Sequence, residues 1–354
     1  MRKITKSTLA ATVISSSVLL SGCGLFSVEK EVAQMDPPQE EAVDTTVTTG
    51  EDQSTETTAD QEEATTETVK RDLYLIDENG LVVPYSAELP KTDGAARQVL
   101  EYLVAGGPVN EILPDGFRAV IPQDTEVDVK LEGSTIIADF SKEFNTYNAE
   151  DEKKILEAIT WTLTQFDTIE NVEIRVNGHV LEEMPVNGTP ISEGLSRADG
   201  INLDNSGVVD ITNSRPVTLY FYVQNDETEY YVPVTKRIDT TEKDQVAAVV
   251  SALIDGPNIT SNLLSELHPD VELLGSKLED GKLTLDFNEA IFGSFDENMI
   301  SQHVLNTLVL SLTENPEIQS VAVTVNGEAD ILTEDGKTLT EPVTRPTNVN
   351  TGSF

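Results

Sequence analysis

The chain carries the same ordered set of short motifs twice, and this duplication constrains its architecture more than any other feature of the sequence. Five motifs recur in the same order at separations of 146 to 149 residues. Each repeated unit spans roughly 120–130 residues, well beyond the 20–50 residues of a solenoid repeat, so the pattern predicts two duplicated globular domains. The five pairs are Leu73-Tyr74 with Leu219-Tyr220, Val83-Pro84 with Val232-Pro233, Gly107-Pro108 with Gly256-Pro257, Asp139-Phe140 with Asp286-Phe287, and Val176-Asn177-Gly178 with Val325-Asn326-Gly327.

Each unit alternates short strands with amphipathic helices. In the first unit, apolar residues recur at helical spacing over 94–105 and again over 150–166, which predicts two helices. Alternating apolar and polar residues from Val172 to Val176 indicate a half-buried strand, and the Asn177-Gly178 pair predicts a type I′ hairpin turn after it. The order ββαββαββ predicts an α+β fold, a mostly antiparallel sheet with two helices on one face. We expect domains at 71–192 and 216–345, a joining segment at 193–215 and a tail at 346–354.

The N-terminus has the features of a signal peptide. Basic residues at positions 2, 3 and 6 precede an apolar stretch from Leu9 to Leu20, which is too short to span a bilayer as a helix. Small residues then lead to Cys23, the one cysteine of the chain. This pattern resembles the bacterial lipobox, and it predicts removal of residues 1–22 and acylation of Cys23, which would anchor the protein to a membrane. The alternative is an ordinary secretory signal with a chance cysteine.

The next segment, 23–70, has the composition of a linker. Residues 24–70 contain thirteen acidic residues, two lysines and ten threonines, with almost no large apolar side chain after Val28. Such a segment buries too little apolar surface to offset the entropy of ordering it. The sequence therefore predicts a lipidated, acidic, disordered tether between the membrane and the folded domains.

Composition excludes several functional classes. The formal net charge is −40, and it becomes about −43 once residues 1–22 and their three basic side chains are removed. Nucleic-acid affinity comes mostly from Lys and Arg, so we expect no nucleic-acid partner. One cysteine and three histidines provide neither a disulfide framework nor a structural zinc site, and no nucleotide-binding, zinc-protease or EF-hand motif occurs. We expect no cofactor and no metal.

These motifs resemble those of the GerMN domain family, in both repeats. The resemblance rests on the Leu-Tyr pairs, the Gly-Pro after the first helix, Ile121-Pro122 and His268-Pro269, the Asp-Phe strand ends and Val-Asn-Gly. It implies a fold similar to ring-building motifs. It also implies a membrane-anchored lipoprotein required for sporulation and germination, on the extracytoplasmic face between mother cell and forespore. The implied role is a non-enzymatic scaffold whose partners are envelope or sporulation-complex proteins, with a homo-oligomer or ring as one form of assembly.

One charged position of the family pattern differs between the repeats. The basic residue that follows the Val-Pro pair appears as Lys236-Arg237 in the second repeat, whereas the first repeat has Ser86-Ala87-Glu88 there. The resemblance therefore makes Lys236 and Arg237 a candidate interface in the second repeat.

The repeats share no histidine, which argues against chemistry performed by both units. His179, His268 and His303 have no histidine counterpart in the other repeat. The shared Asp139 and Asp286 are interpreted as structural strand ends. Two alternatives stay open. One is a peptidoglycan- or ligand-binding module, and the other is an envelope hydrolase with paired carboxylates, whose acids would lie about 5–9 Å apart.

Overall fold

The computed structural model describes residues 67–206, 212–225, 228–240, 244–293 and 298–351. The predicted signal peptide, Cys23 and most of the predicted linker lie outside the described residues. Within the described part of the chain, no helix is long and apolar enough to span a membrane.

The first repeat follows the predicted order of strands and helices. A hairpin, a helix, a second hairpin, a second helix and a short final hairpin succeed one another along the chain. The first strand begins at Thr68. The elements are β1 (Thr68–Ile76), β2 (Val82–Pro90), α1 (Ala95–Glu101), β3 (Val127–Glu132), β4 (Thr135–Phe140), α2 (Glu152–Leu163), β5 (Asn171–Val176) and β6 (His179–Val180).

The second repeat has the same core order with further short strands. The elements are β7 (Ser214–Gln224), β8 (Glu229–Asp239), α3 (Gln245–Ile254), β9 (Leu273–Glu279), β10 (Lys282–Phe287), β11 (Met299–Ile300), α4 (Gln302–Leu312), β12 (Ser320–Val325), β13 (Leu332–Thr333) and β14 (Val343–Thr344).

The predicted fold class is confirmed, with one refinement in the strand pairing. The hairpins β1–β2 and β7–β8 are antiparallel, and each forms a two-stranded sheet of its own. In the four-stranded sheet of each repeat, β4 pairs with β5 and β10 with β12 in parallel. The parallel pair arises because a helix, α2 or α4, connects the two strands and returns the chain to the same end of the sheet.

Equivalent hydrogen bonds in the two repeats hold the second helix on the first strand. The hydroxyl of Thr162 accepts from the backbone N–H of Tyr74 at 3.1 Å, and the hydroxyl of Ser311 accepts from that of Tyr220 at 2.9 Å. Ile159 and Leu308 are both fully buried on the same helices. The two repeats therefore share one helix-to-strand register, with α4 following α2 by 149 residues.

Two chain segments after the last sheet strands correspond to each other. Tail 1 (195–203) begins where Leu195 pairs with Val172 of β5, and tail 2 (343–351) begins where Val343 pairs with Val321 of β12. Tail 1 lies in the predicted joining segment, and tail 2 contains most of the predicted C-terminal tail.

Each tail bonds to the hairpin of the other repeat. The backbone N–H of Ile201, in tail 1, donates to the hydroxyl of Thr235 in β8 at 2.9 Å. The backbone N–H of Val349, in tail 2, donates to the hydroxyl of Ser86 in β2 at 3.3 Å. The repeats thus exchange tails, and one continuous apolar core runs through both.

Two asparagines join β2 to β8 in matching ways. Asn202 accepts from Val82 N–H at 2.8 Å and donates to the carbonyls of Val82 and Pro233 at 2.7 and 2.8 Å. Asn350 accepts from Tyr231 N–H at 2.7 Å and donates to the carbonyls of Tyr231 and Pro84 at 2.9 and 2.7 Å. Exchanging the repeats converts one set of bonds into the other, the pattern of a two-fold isologous interface. We call the surface formed by β2, β8 and the two tails the seam.

Candidate functional site

A partly buried charged cluster built around Glu314 connects the two tails. Its carboxylate accepts from Arg345 at 2.7 Å, from Arg197 at 3.2 Å and from the hydroxyl of Tyr220 at 2.9 Å. Burial raises the pKa of Tyr220 well above its ordinary value, so the phenol stays protonated and donates. Two guanidiniums on one carboxylate make a charge-assisted network in place of an isolated buried ion.

The two arginines occupy equivalent places in the two tails. Arg197 donates to the hydroxyl of Thr164, and Arg345 donates to that of Thr313, both at 3.1 Å. Each guanidinium also lies over an aromatic ring, 4.3 Å from the centre of Trp161 and 5.1 Å from that of Tyr220. Cation–π contacts and ion pairs therefore fix both tails on the helices.

Asp139 and Asp286 have the structural role that the sequence favours. The carboxylate of Asp139 accepts from Gly178 N–H at 2.9 Å, and that of Asp286 accepts from Gly327 N–H at 2.8 Å. Each aspartate thus stabilises the Asn-Gly turn of its own repeat. Asn177 and Gly178 have φ of 49° and 77°, as the predicted type I′ turn requires.

Lys236 and Arg237, the predicted interface, lie near the end of β8. The ammonium of Lys236 donates to the carbonyl of Gly256 at 2.7 Å and lies 3.7 Å from the carboxylate of Asp204. The guanidinium of Arg237 donates to the hydroxyl and the carbonyl of Ser214 at 2.9 and 2.7 Å. Both side chains are half-buried, so only part of each is available to a partner. Their role as an interface stays a prediction.

The histidines lie apart from one another. His179 is on the surface, and His268 is exposed beside Asp270, with 3.4 Å between its Nδ1 and the carboxylate. His303 stacks on Tyr222 with ring centres 4.0 Å apart, and its Nδ1 lies 3.0 Å from the hydroxyl of Tyr231. These contacts attach α4 to the β7–β8 hairpin.

A small cavity of about 150 Å³ between α2 and tail 1 contains a carboxyl group that sequence reasoning missed. Burial raises the pKa of Glu157 to about 7, although the backbone N–H of Asn202 donates to it at 3.1 Å. Asp199 lines the same cavity, but its carboxylate already accepts from the Ser192 hydroxyl and from Ser196 N–H, both at 2.7 Å. A perturbed carboxyl in a cavity is a general-acid candidate. A volume of 150 Å³ is smaller than most ligand pockets, which favours a structural role.

A second cavity, of about 450 Å³, opens in the second repeat beside the charged cluster. Apolar side chains from β7, α3 and the end of α4 share its wall with polar groups, and Trp161 and Arg197 of the first repeat also line it. Among the described residues, no group of three or more His, Cys, Asp or Glu side chains has the arrangement of a metal site.

Comparisons with known proteins agree with this duplicated architecture. The family model described as "Germane: Sporulation and spore germination" matches residues 72–182 and 218–330. The spore germination protein GerM of Bacillus subtilis (strain 168) is 52% identical over 98% of each chain. The solved structure of the tandem GerMN domains of that protein superposes with a TM-score of 0.76 at 55% identity, over 81% of this chain and all of that one. The chain therefore belongs to the sporulation and spore germination family with tandem GerMN domains.

Proposed function

We propose that this protein is a lipoprotein scaffold that helps to assemble an envelope complex during sporulation. In this proposal Cys23 carries the lipid, and the mature chain lies on the extracytoplasmic face of the membrane, between mother cell and forespore. Its partners are other envelope or sporulation-complex proteins, and the chain itself forms part of an oligomer or ring. Family membership supports the sporulation role, and the N-terminal pattern supports the anchor.

The exchanged tails are the observation that carries this proposal. Because each tail bonds to the opposite hairpin, the two repeats form a rigid pair whose relative orientation is set before any partner arrives. Pre-organisation of this kind lowers the ordering cost of binding. The two-fold pattern of the seam pairs matching surfaces of the two repeats with each other, so contacts with other proteins use the surface that the seam leaves open.

The polar groups that could perform catalysis are held in structural hydrogen bonds. Asp139 and Asp286 accept from turn N–H groups, and His303 contacts two tyrosines. Because these side chains are engaged in structural contacts, they support a scaffold function in preference to catalysis. The near-neutral carboxyl of Glu157 is the observation that favours the alternative, a glycan-binding module or hydrolase.

Complementation of sporulation tests the proposal. The chain would be expressed in a Bacillus subtilis strain that lacks its 52%-identical relative, as wild type and as Cys23→Ser, Glu157→Gln and a variant with all three histidines changed to Gln. We expect Cys23→Ser to leave the membrane fraction and lose function, while the Gln variants sporulate normally. Lost sporulation in a folded, membrane-bound Gln variant would instead support the enzymatic alternative. A Cys23→Ser chain that stays on the membrane would refute the anchor.

A further inference from the structure

The 450 Å³ cavity of the second repeat has the size of a binding pocket, since ligand pockets usually measure about 300–1,000 Å³. Its wall is part polar and part apolar. The apolar part consists of Pro216, Val217, Val246, Val249, Leu312 and Ile318. This part of the chain has a twin in the first repeat, so the two can be compared side chain by side chain.

The corresponding place in the first repeat is filled by an aromatic ring. The shared register of α2 and α4 makes Asn315 the counterpart of Phe166, and the shared register of β1 and β7 makes Val217 the counterpart of Arg71. Phe166 packs on the core, and the guanidinium of Arg71 lies 5.2 Å from its ring centre. Asn315 is short and turns back to accept from Glu317 N–H at 3.0 Å. The second repeat thus leaves room where the first places a phenyl ring.

The wall of this cavity includes a positively charged side chain that is not already paired. Arg215 lines it and is half-buried, and its guanidinium has no hydrogen-bond or ion-pair partner among the described residues. Arg197 also lines the cavity but is already paired with Glu314, and the exposed Glu317 is the remaining acid of the lining. An incoming carboxylate would therefore be attracted to Arg215, and Arg is the side chain best suited to bind a carboxylate through two hydrogen bonds.

We propose that this cavity is a docking pocket for an aromatic side chain of a partner protein, with a neighbouring carboxylate of that partner bound by Arg215. This inference rests on the proposed assembly function and names the contact. Phe166, at the corresponding place in the first repeat, shows that this architecture accommodates a phenyl ring. The unpaired guanidinium of Arg215 favours a negatively charged group beside that ring. A second copy of this chain is disfavoured as the occupant, because two mature chains of about −43 repel each other.

The pocket can be tested with small probes on the full mature chain, because Trp161, the single tryptophan, lines it. The probes are N-acetyl-L-phenylalanine, its amide and N-acetyl-L-alanine, each titrated while Trp161 fluorescence is recorded. We expect saturable binding of N-acetyl-L-phenylalanine, severalfold weaker binding of the amide, and at least tenfold weaker binding of the alanine derivative. Arg215→Gln should reduce the affinity for N-acetyl-L-phenylalanine to that of the amide. Equal binding of all three probes, or none, would overturn the proposal.

Filling the cavity provides the second arm. Asn315→Phe restores the residue of the first repeat, so it should raise Tm and abolish probe binding, and Val246→Phe fills the same space from α3 if the first variant folds poorly. Phe166→Asn is the matched control, which should leave probe binding intact. In the sporulation assay Asn315→Phe should fail while remaining membrane-bound. Normal sporulation by a chain that no longer binds the probe would refute the docking contact without refuting the scaffold function. A dimer in sedimentation that Asn315→Phe dissociates would instead identify a second copy as the occupant.

Discussion

Replacing Asn202 by Ala should destabilise the tandem more than an ordinary polar substitution would. The side chain makes three hydrogen bonds across the seam, two to Val82 and one to Pro233. Val82 is fully buried, so its N–H would be left without a partner. An orphaned buried donor costs about 1–3 kcal/mol, and the two carbonyls add a smaller cost. Asn202 also has φ of 46°, where Ala is strained by about 1 kcal/mol. We expect a total loss of about 3–4 kcal/mol.

Equilibrium urea unfolding and calorimetry would measure this loss. A loss of that size corresponds to a Tm decrease of roughly 6–12 °C for a protein of this length. Asn202→Gly is the matched control, since it removes the same hydrogen bonds without the strain at positive φ. Asn350→Ala should cost a similar amount because its bonds match those of Asn202. In the double variant the repeats should unfold in two transitions. A cost below about 0.5 kcal/mol for Asn202→Ala, typical of an unimportant surface site, would refute the role assigned to the seam.

Three further outcomes follow from particular contacts. Glu157 should make stability depend on pH: its pKa is raised from 4.5 to about 7, so the stability present below pH 4.5 is lost as pH rises through 7. The pKa difference corresponds to about 3 kcal/mol of unfolding free energy, which water at the half-buried carboxyl reduces to roughly 1–2 kcal/mol. Glu157→Gln should recover this free energy at pH 8, as measured by urea titration. Asp286→Ala should cost about 1–2 kcal/mol by freeing the Gly327 N–H and the Thr324 hydroxyl, and Asp139→Ala should cost about 1 kcal/mol by freeing the Gly178 N–H alone; a higher urea midpoint for Asp286→Ala than for Asp139→Ala would contradict these roles. Arg237→Gln should weaken binding to a purified partner more at low salt than at high salt if the basic pair is an interface, whereas an unchanged salt dependence would remove it from consideration.

The sequence predicted those helices and turns whose patterns lie within one short segment of the chain. Hydrophobic periodicity located α2 and α4, and Asn177-Gly178 specified a turn that the structure confirms. The parallel pairing of β4 with β5 could not be read from alternation, because alternating side chains look alike in parallel and antiparallel strands. Pairing direction depends on where the intervening helix returns the chain.

The tails were missed although they carried a repeat signal. Leu195-Ser196-Arg197 is followed by Asn202, and Val343-Thr344-Arg345 is followed by Asn350 at the same spacing, 148 residues later. The Gly, Asp, Asn and Ser residues around Leu195 have the composition of a loop, which hid the match. Glu157 was missed for a different reason: its perturbed pKa arises from burial against tail 1, which periodicity on α2 does not show.

The exchanged tails lead to a prediction about a single repeat. In the full chain Ser86 of β2 receives tail 2, while tail 1 binds Thr235 of β8. A fragment of residues 67–203 retains Ser86 and tail 1 but lacks both partners, and the two-fold character of the seam makes these surfaces complementary to each other. Two copies should therefore exchange tails, with Asn202 of one copy binding Pro84 of the other as Asn350 does in the full chain. Sedimentation equilibrium should show a dimer that strengthens with salt, because the acidic copies repel at low ionic strength. Asn202→Ala in the fragment should make it monomeric. A wild-type fragment that stays folded and monomeric at high concentration would show that the seam forms only because the two repeats are tethered, so that chain connectivity and not surface complementarity holds the tandem together.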